Sequence, residues 1–211
     1  KSTNLLHFID LGLDASRVHI INMTVDSSRF IGLSKQQAQE RYIAYCGTVS
    51  NNKDGVDELI KAFALVAAKI SDIYLYIIGN TPAEDDKSGN LALIDNLGLN
   101  DRIKFLGLVH SSEMPQLLKN AEVLVLNRPN NLQAKHGFPT KLGEYLLTEN
   151  PVVVTAVGDI PLFLKDGVSA LLSSPCDPEC FANKVIWALE HPLEAAKIGI
   201  NGSLVAIREF N

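Results

Sequence analysis

The chain has few cysteines, and no part of it is apolar over a long distance. Its three cysteines are Cys46, Cys176 and Cys180, an odd number that argues against a disulfide-stabilised secreted domain and favours a reducing compartment. Cys176 and Cys180 lie four positions apart, but no second pair of cysteines or histidines completes a zinc site. No apolar run approaches the ~20 residues of a membrane-spanning helix, and no signal peptide is visible. We therefore expect a cytoplasmic protein.

Charge and motif content exclude further classes of protein. Asp and Glu number 24 against 19 Lys and Arg, and the net charge of −5 argues against a surface for nucleic acid or acidic membranes. The sequence contains neither a GxGxxG loop nor a Walker A loop. None of its five histidines stands in a Ser or Cys nucleophile-elbow context, so no catalytic triad is expected.

What the sequence does contain, from residue 42 onward, is a regular alternation of short apolar segments with segments of helical periodicity. Strands are expected at 42–46, 73–78, 103–106, 123–126, 152–155 and 170–172. Helices are expected at about 55–69 and at 91–97, 140–148, 161–165, 178–190 and 192–207. One more helix, with Ser111 or Ser112 as its N-cap, is expected to carry Met114, Leu117 and Leu118. This order predicts an α/β fold with a Rossmann-like parallel sheet of about six strands and helices on both faces.

Residues 1–33 do not follow this alternation. A short helix is expected at 5–11, a strand at 18–21 and a turn-rich exit after it. We interpret 1–33 as the tail of a preceding domain with its hinge, and 34–211 as the Rossmann-like domain. The chain begins at Lys1 without a methionine, so we expect a fragment of a longer protein.

Ligands of parallel sheets bind beyond the carboxyl ends of the strands. The loop after the first strand reads Gly-Thr-Val-Ser-Asn-Asn-Lys-Asp-Gly from 47 to 55, and its small residues with Lys53 suit a diphosphate. The alternative is an ordinary loop with a solvated lysine. Gly79 ends the second strand at a turn that a ligand can approach closely, although a glycine that merely stops a strand is common.

The most informative segment is Gly-Phe-Pro-Thr-Lys-Leu-Gly-Glu-Tyr-Leu-Leu at 137–147. Free N–H groups and the dipole at the start of the predicted helix favour a phosphate, and Glu144 can accept hydrogen bonds from vicinal hydroxyls such as those of ribose. Lys141 and Glu144 share one side of the helix. Either they form an ion pair within the helix, or both line the ligand pocket, with Lys141 at the phosphate and Glu144 at the ribose.

Other polar side chains near this edge have two equal interpretations. Arg128 follows the strand at 123–126, and Lys135 and His136 lie on the same edge. A contact with a phosphate or sugar and an exposed loop cation are both consistent with the sequence. The acidic residues 84–86 are expected in a solvated loop.

Together these segments resemble the carboxyl-terminal, nucleotide-sugar-binding half of the family 4 (group 1) retaining glycosyltransferases of the GT-B fold. The family signature has a Glu-x7-Glu pair around Gly-Phe-Gly, followed by Gly-x-Pro-Val-Val. Here residues 136–145 read His-Gly-Phe-Pro-Thr-Lys-Leu-Gly-Glu-Tyr, and 150–153 read Asn-Pro-Val-Val. Glu144 matches the second glutamate, His136 replaces the first, and Thr48 stands where the family often has arginine. Residues 18–30, 45–63, 103–109 and 156–167 resemble further segments of the family.

The resemblance implies transfer of a sugar from a nucleotide diphosphate sugar to an acceptor with retained anomeric configuration. It implies no obligatory metal or other cofactor. The implied partners are the nucleotide sugar, an acceptor that is a glycan, a lipid-linked sugar or a small molecule, and the amino-terminal domain of the same protein. That domain would hold the acceptor-side catalytic groups and any contact with the inner membrane surface. The fragment alone is therefore expected to bind nucleotide weakly without turnover.

The resemblance also assigns roles to the residues at the strand ends. Lys53, Lys141 and the amides of 140–142 would bind the diphosphate, Glu144 the ribose, Gly79 and 107–109 the base, and His136 and Phe138 the sugar. The full set of implied nucleotide-sugar-binding residues is Gly47, Thr48, Lys53, Gly79, Val109, Arg128, Phe138, Thr140, Lys141, Leu142 and Glu144. Two alternatives to a transferase stay open at this point: a sugar-nucleotide epimerase of similar architecture and a non-catalytic GT-B-like binding module.

Overall fold

The sheet is built entirely from parallel strands. The computed structural model describes residues 3–17, 19, 21 and 23–211. Within them one six-stranded sheet has the order β3-β2-β1-β4-β5-β6, and every neighbouring pair is parallel. The strands are β1 (Arg41–Cys46), β2 (Ile73–Ile78), β3 (Ile103–Gly107), β4 (Val123–Leu126), β5 (Val152–Thr155) and β6 (Leu171–Ser173).

Among the described residues, one helix precedes the first strand, others connect successive strands, and two follow the last strand. They are α1 (Thr3–Asp10), α2 (Asn51–Asp54), α3 (Val56–Lys69), α4 (Glu84–Asn96), α5 (Met114–Asn120), α6 (Leu132–His136), α7 (Thr140–Leu147), α8 (Ile160–Phe163), α9 (Pro178–Glu190) and α10 (Pro192–Phe210). Two 3₁₀ helices, Ala15–Arg17 and Ser27–Phe30, lie before β1.

The apolar strands form the core, as the sequence predicts. All four residues of β4 and all four of β5 are buried, because helices cover both faces of the sheet. The chain moves outward in opposite directions from β1 to β2 and from β4 to β5, so the right-handed rule for parallel crossovers puts the connecting helices α3 and α7 on opposite faces. Helix α9 packs against α3, and α10 packs against α7.

Several element boundaries differ from the sequence-based prediction. Helix α4 begins at Glu84 rather than near 91, so the acidic residues 84–86 form its first turn instead of a loop, where they face the positive end of the helix dipole. The predicted serine caps of α5 are wrong, since Glu113 holds the N-cap position without a side-chain bond. The short helices α2 and α6 were not predicted.

The expected strand at 18–21 falls partly outside the described residues. Val18 and Ile20 are not described, and His19 and Ile21 lie in neither a helix nor a strand. Within the described ranges, no helix is both long enough and apolar enough to cross a membrane.

Candidate functional site

The strand order reverses direction between β1 and β4, and this switch point is where ligands of doubly wound sheets bind. The register pairs Cys46 with Ile78 at the carboxyl ends of β1 and β2, so the glycines that follow lie side by side. The Gly47 N–H donates to the Ile78 carbonyl at 2.8 Å, and the Gly79 N–H donates to the Gly107 carbonyl at 2.8 Å. The three predicted loops therefore share one edge of the sheet.

Close contacts surround two of these glycines. Gly79 has a φ of 132°, and a Cβ there would overlap the Gly47 carbonyl oxygen. A Cβ on Gly47 would overlap the Lys141 ammonium. The loop after β1 thus lies directly against the first turn of α7, so Gly47, Gly79 and Lys141 lie close together. A ligand contact by any of the three stays a prediction.

Lys141 is held in a buried ion pair. Its Nζ donates to Asp54 Oδ2 at 2.7 Å and lies 3.4 Å from the Tyr45 hydroxyl oxygen. The Asp54 side chain is 2% exposed and that of Lys141 16%. Burial lowers the pKa of the Lys141 ammonium, and the Asp54 carboxylate opposes that shift. The partner of Lys141 is therefore Asp54 rather than Glu144, so the predicted alternative of a Lys141–Glu144 ion pair does not form.

Asp54 is placed by the loop that the sequence predicts to cradle a diphosphate. Ser50 caps α2 by accepting from the Lys53 N–H at 3.4 Å, and Asp54 ends the helix before Gly55, which is left-handed with a φ of 59°. The Tyr45 hydroxyl lies 2.7 Å from Asp54 Oδ2 and 2.6 Å from the Thr48 carbonyl oxygen. Contacts among Tyr45, Asp54 and Lys141 thus connect β1, α2 and α7.

Lys53, in contrast, takes no part in this buried pair. It is exposed, and it forms no ion pair within the described part of the chain.

The first amides of α7 lie at the same edge of the sheet. Pro139 precedes the helix and has no N–H, and the Leu142 N–H donates to the Pro139 carbonyl at 3.0 Å. The N–H groups of Thr140 and Lys141 are the ones that a helix start leaves available to a ligand.

Glu144 is paired with an arginine that sequence reasoning missed. Arg29 Nη1 donates to Glu144 Oε1, and Arg29 Nη2 donates to the Ser111 carbonyl at 2.8 Å. Both side chains of the pair are about one third exposed, 32% for Arg29 and 28% for Glu144. Glu144 Oε2 has no hydrogen-bond partner among the described residues, so one carboxylate oxygen remains as an acceptor.

Arg128 is not the exposed loop cation that one interpretation expected. It is 4% exposed, and its Nη1 donates to the carbonyls of Gly137 and of Ala134, the latter at 3.3 Å. Burial lowers the pKa of its guanidinium, and the charge of Asp54 opposes that shift. Arg128 therefore fixes the loop that leads into α7, and a direct contact with phosphate stays a prediction.

His136 and Phe138 lie on the approach to α7. The His136 ring is half-buried, and its centroid lies 4.8 Å from that of His7 in α1. The Phe138 ring packs against Phe163 and Phe210 at centroid distances of 5.4 and 5.3 Å. Phe138 thus belongs to an aromatic cluster, and a sugar contact by either residue stays a prediction.

A cavity of about 370 Å³ opens beside Gly79, where the family resemblance implies the base. Its walls come from the turn after β2, from α4 and from the end of β3, namely Gly79, Asn80, Thr81, Lys87, Leu91, Phe105 and Gly107. Val109 follows this wall, half-buried against the core. The described residues contain no cluster of three or more His, Cys, Asp or Glu that could hold a metal ion. A metal-independent reaction stays a prediction.

The sheet order, with its reversal between β1 and β4, defines a doubly wound α/β protein. The sequence profile of the family "Glycosyl transferases group 1" matches residues 40–191, and the chain belongs to this family. The predicted family is thereby confirmed.

Curated relatives match the chain over most of its length. Mannosylfructose-phosphate synthase of Agrobacterium fabrum is 26% identical over 196 residues, which cover 86% of this chain and 42% of the relative. D-inositol 3-phosphate glycosyltransferase of Mycolicibacterium vanbaalenii is 27% identical over 187 residues, which cover 78% and 39%. The chain thus spans less than half the length of these relatives.

Solved structures share the fold. The Anabaena protein HepE in complex with UDP-glucose has a TM-score of 0.85 and 22% identity, over 98% of this chain and 57% of HepE. The carboxyl-terminal domain of a group 1 glycosyl transferase from Francisella tularensis has a TM-score of 0.75 and 21% identity, over 88% of this chain and 97% of that domain. The predicted fold class, an α/β Rossmann-like parallel sheet of the kind found in GT-B glycosyltransferases, is confirmed.

Proposed function

We propose that the chain is the donor-binding domain of a glycosyltransferase that moves a sugar from a nucleotide diphosphate sugar to an acceptor with retained configuration. The observation that carries this proposal is the meeting of three glycine loops with the start of α7 at the switch point. At that place the chain offers amide donors and Lys53 for an anion, and Glu144 Oε2 for a hydroxyl. Family membership and the UDP complexes of structural neighbours support the same function.

The diphosphate would lie between the loop after β1 and the first turn of α7. Thr140 and Lys141 supply N–H groups there, and Lys53 supplies an exposed positive charge beside them. Departure of the nucleotide diphosphate is the difficult step of such a transfer. Preorganised donors stabilise the negative charge that develops on the leaving group, because they need no rearrangement as the bond breaks.

Lys141 has a more restricted role than the sequence indicated. Its charge is balanced by Asp54, so it brings little net attraction to an anion, but its ammonium occupies the space beside Gly47. Thr48 supplies no cation where the family often has arginine. We propose that Lys141 provides a hydrogen-bond donor at this place and that Lys53 provides the uncompensated charge.

Glu144 would bind the ribose, and the cavity beside Gly79 would receive the base. His136, at the place of the first family glutamate, would contribute one hydrogen bond to the donor sugar instead of a carboxylate. The acceptor, whether a glycan, a lipid-linked sugar or a small molecule, would bind to an amino-terminal domain that 1–33 joins to this one. The three free thiols are consistent with our proposal of a cytoplasmic protein, with any membrane contact made by that domain.

Nucleotide binding by this chain is the direct test. Isothermal titration calorimetry with UDP, GDP and ADP should give weak binding of one of them, and the corresponding nucleotide sugar should bind without turnover. Absence of binding for all three nucleotides would refute the proposal.

Two matched glutamates test the ribose assignment. Glu144→Ala should weaken nucleotide binding by about tenfold or more, since a hydrogen bond to a charged group contributes about 1.5–3 kcal/mol. Glu84→Ala is the control, because Glu84 lies exposed in the first turn of α4. Equal affinities of the two variants would show that Glu144 does not contact the ribose.

A further inference from the structure

Arg29 joins two parts of the candidate site that are far apart in the sequence. It lies in the 3₁₀ helix Ser27–Phe30, which contacts both α5 and α7. One guanidinium nitrogen binds the Glu144 carboxylate and the other binds the Ser111 carbonyl. Ser111 follows the loop 107–109 that would flank the base. A single planar side chain thus connects the proposed ribose acceptor with the wall of the proposed base site.

The backbone that carries Arg29 is itself held against α7. Asp26 caps the 3₁₀ helix by accepting from the Ser28 N–H at 3.0 Å. The Val25 N–H donates to the Phe210 carbonyl at 2.7 Å, and the Val25 side chain occupies the space that a Cβ on Gly143 would need. Gly143 directly precedes Glu144, so the close approach places the arginine and the carboxylate in a fixed relation.

We propose that Arg29 is a positioning residue for the nucleotide: it orients Glu144 for the ribose hydroxyls and holds the 107–112 segment beside the base. This inference rests on the function proposed above. A free glutamate loses side-chain entropy when it binds a diol, whereas a glutamate already fixed by a guanidinium has lost that freedom beforehand. Arginine suits the task because its rigid fork reaches two acceptors at once, which a lysine ammonium does not reproduce.

The test takes whichever of UDP, GDP and ADP the wild type binds and compares it by calorimetry with its 2′,3′-dideoxy analogue, which lacks both ribose hydroxyls. The wild type should prefer the nucleotide with both hydroxyls by about tenfold or more, as expected for hydrogen bonds to a carboxylate. In Arg29→Ala the preference should fall to about threefold or less, approaching that of Glu144→Ala. Arg41→Ala is the matched control, since Arg41 forms an exposed ion pair with Asp72 at 2.7 Å. It should keep the wild-type preference.

A purely structural role of Arg29 would lower the melting temperature and weaken both ligands equally, which would leave the preference unchanged and overturn the inference. If Arg29→Ala does not fold, Arg29→Lys and Arg29→Gln decide the question: the preference should decrease from arginine through lysine to glutamine. Equal preferences in all three proteins would overturn the inference. Failure of the wild type to bind UDP, GDP or ADP would instead refute the proposed function and the inference with it.

Discussion

The buried pair of Asp54 and Lys141 allows a quantitative prediction. Asp54→Asn removes the carboxylate that balances the Lys141 ammonium and leaves a largely buried positive charge without a partner. Breaking a buried pair in this way costs about 3–5 kcal/mol. Because Lys141 keeps 16% of its side chain exposed, water screens part of that charge, and we expect a loss of about 3 kcal/mol in the free energy of unfolding.

Urea denaturation, monitored by circular dichroism, measures this loss of unfolding free energy, and Asp72→Asn is the control. Asp72 pairs with Arg41 at the same 2.7 Å, but its side chain is 58% exposed, so its loss should cost about 0–1 kcal/mol. The double variant Asp54→Asn/Lys141→Met should recover much of the stability, since no unpaired charge remains. If Asp54→Asn is no more destabilised than Asp72→Asn, the pair is not buried in solution and the argument fails.

Three further predictions concern the loops and the ionisable groups. Gly79→Ala should destabilise the chain by about 2 kcal/mol more than Gly98→Ala, because both glycines have positive φ but only the first meets a neighbouring carbonyl; equal denaturation midpoints would contradict this. Burial raises the pKa of the Cys46 thiol to about 11, so iodoacetamide at pH 8 should alkylate it far more slowly than exposed Cys176, as peptide mass spectrometry would show. Burial alone would raise the pKa of Asp166. Hydrogen bonds from Lys184 on α9 and from backbone amides outweigh burial and lower this pKa below its ordinary value of 3.8. The contribution of Asp166 to stability should therefore be complete above about pH 4 and lost as the pH falls below that value. Lys184→Ala should reduce this acid sensitivity, as melting curves recorded at several pH values would show.

The sheet was predictable because its signal is local. Each strand is a short apolar run followed by a glycine or a polar turn, and β4 and β5 were predicted with their exact ends. Helix α9 was also predicted exactly, since Asp177 caps its start and apolar residues recur at helical spacing. The beginning of α4 was missed because residues 84–90 are polar or small throughout and show no apolar periodicity.

The partners within the site were not predictable in the same way. Arg29 and Glu144 are 115 positions apart, and no spacing rule connects two residues at that distance. Arg128 is buried although arginine is mostly exposed in proteins, so the sequence favoured a loop cation. Asp54 offered a weak signal, since an acid between Lys53 and Gly55 is unusual for an anion cradle and could have indicated a partner for a lysine.

The hydrogen bond between Val25 and Phe210 has a consequence for folding. It joins an early segment of the described chain to the end of the last helix, so it closes a loop that spans most of the chain, at a cost in conformational entropy. Contacts of such large sequence separation raise the contact order and slow folding. We expect the segment that carries Arg29 to dock late, so that the candidate site is complete only in a fully folded molecule.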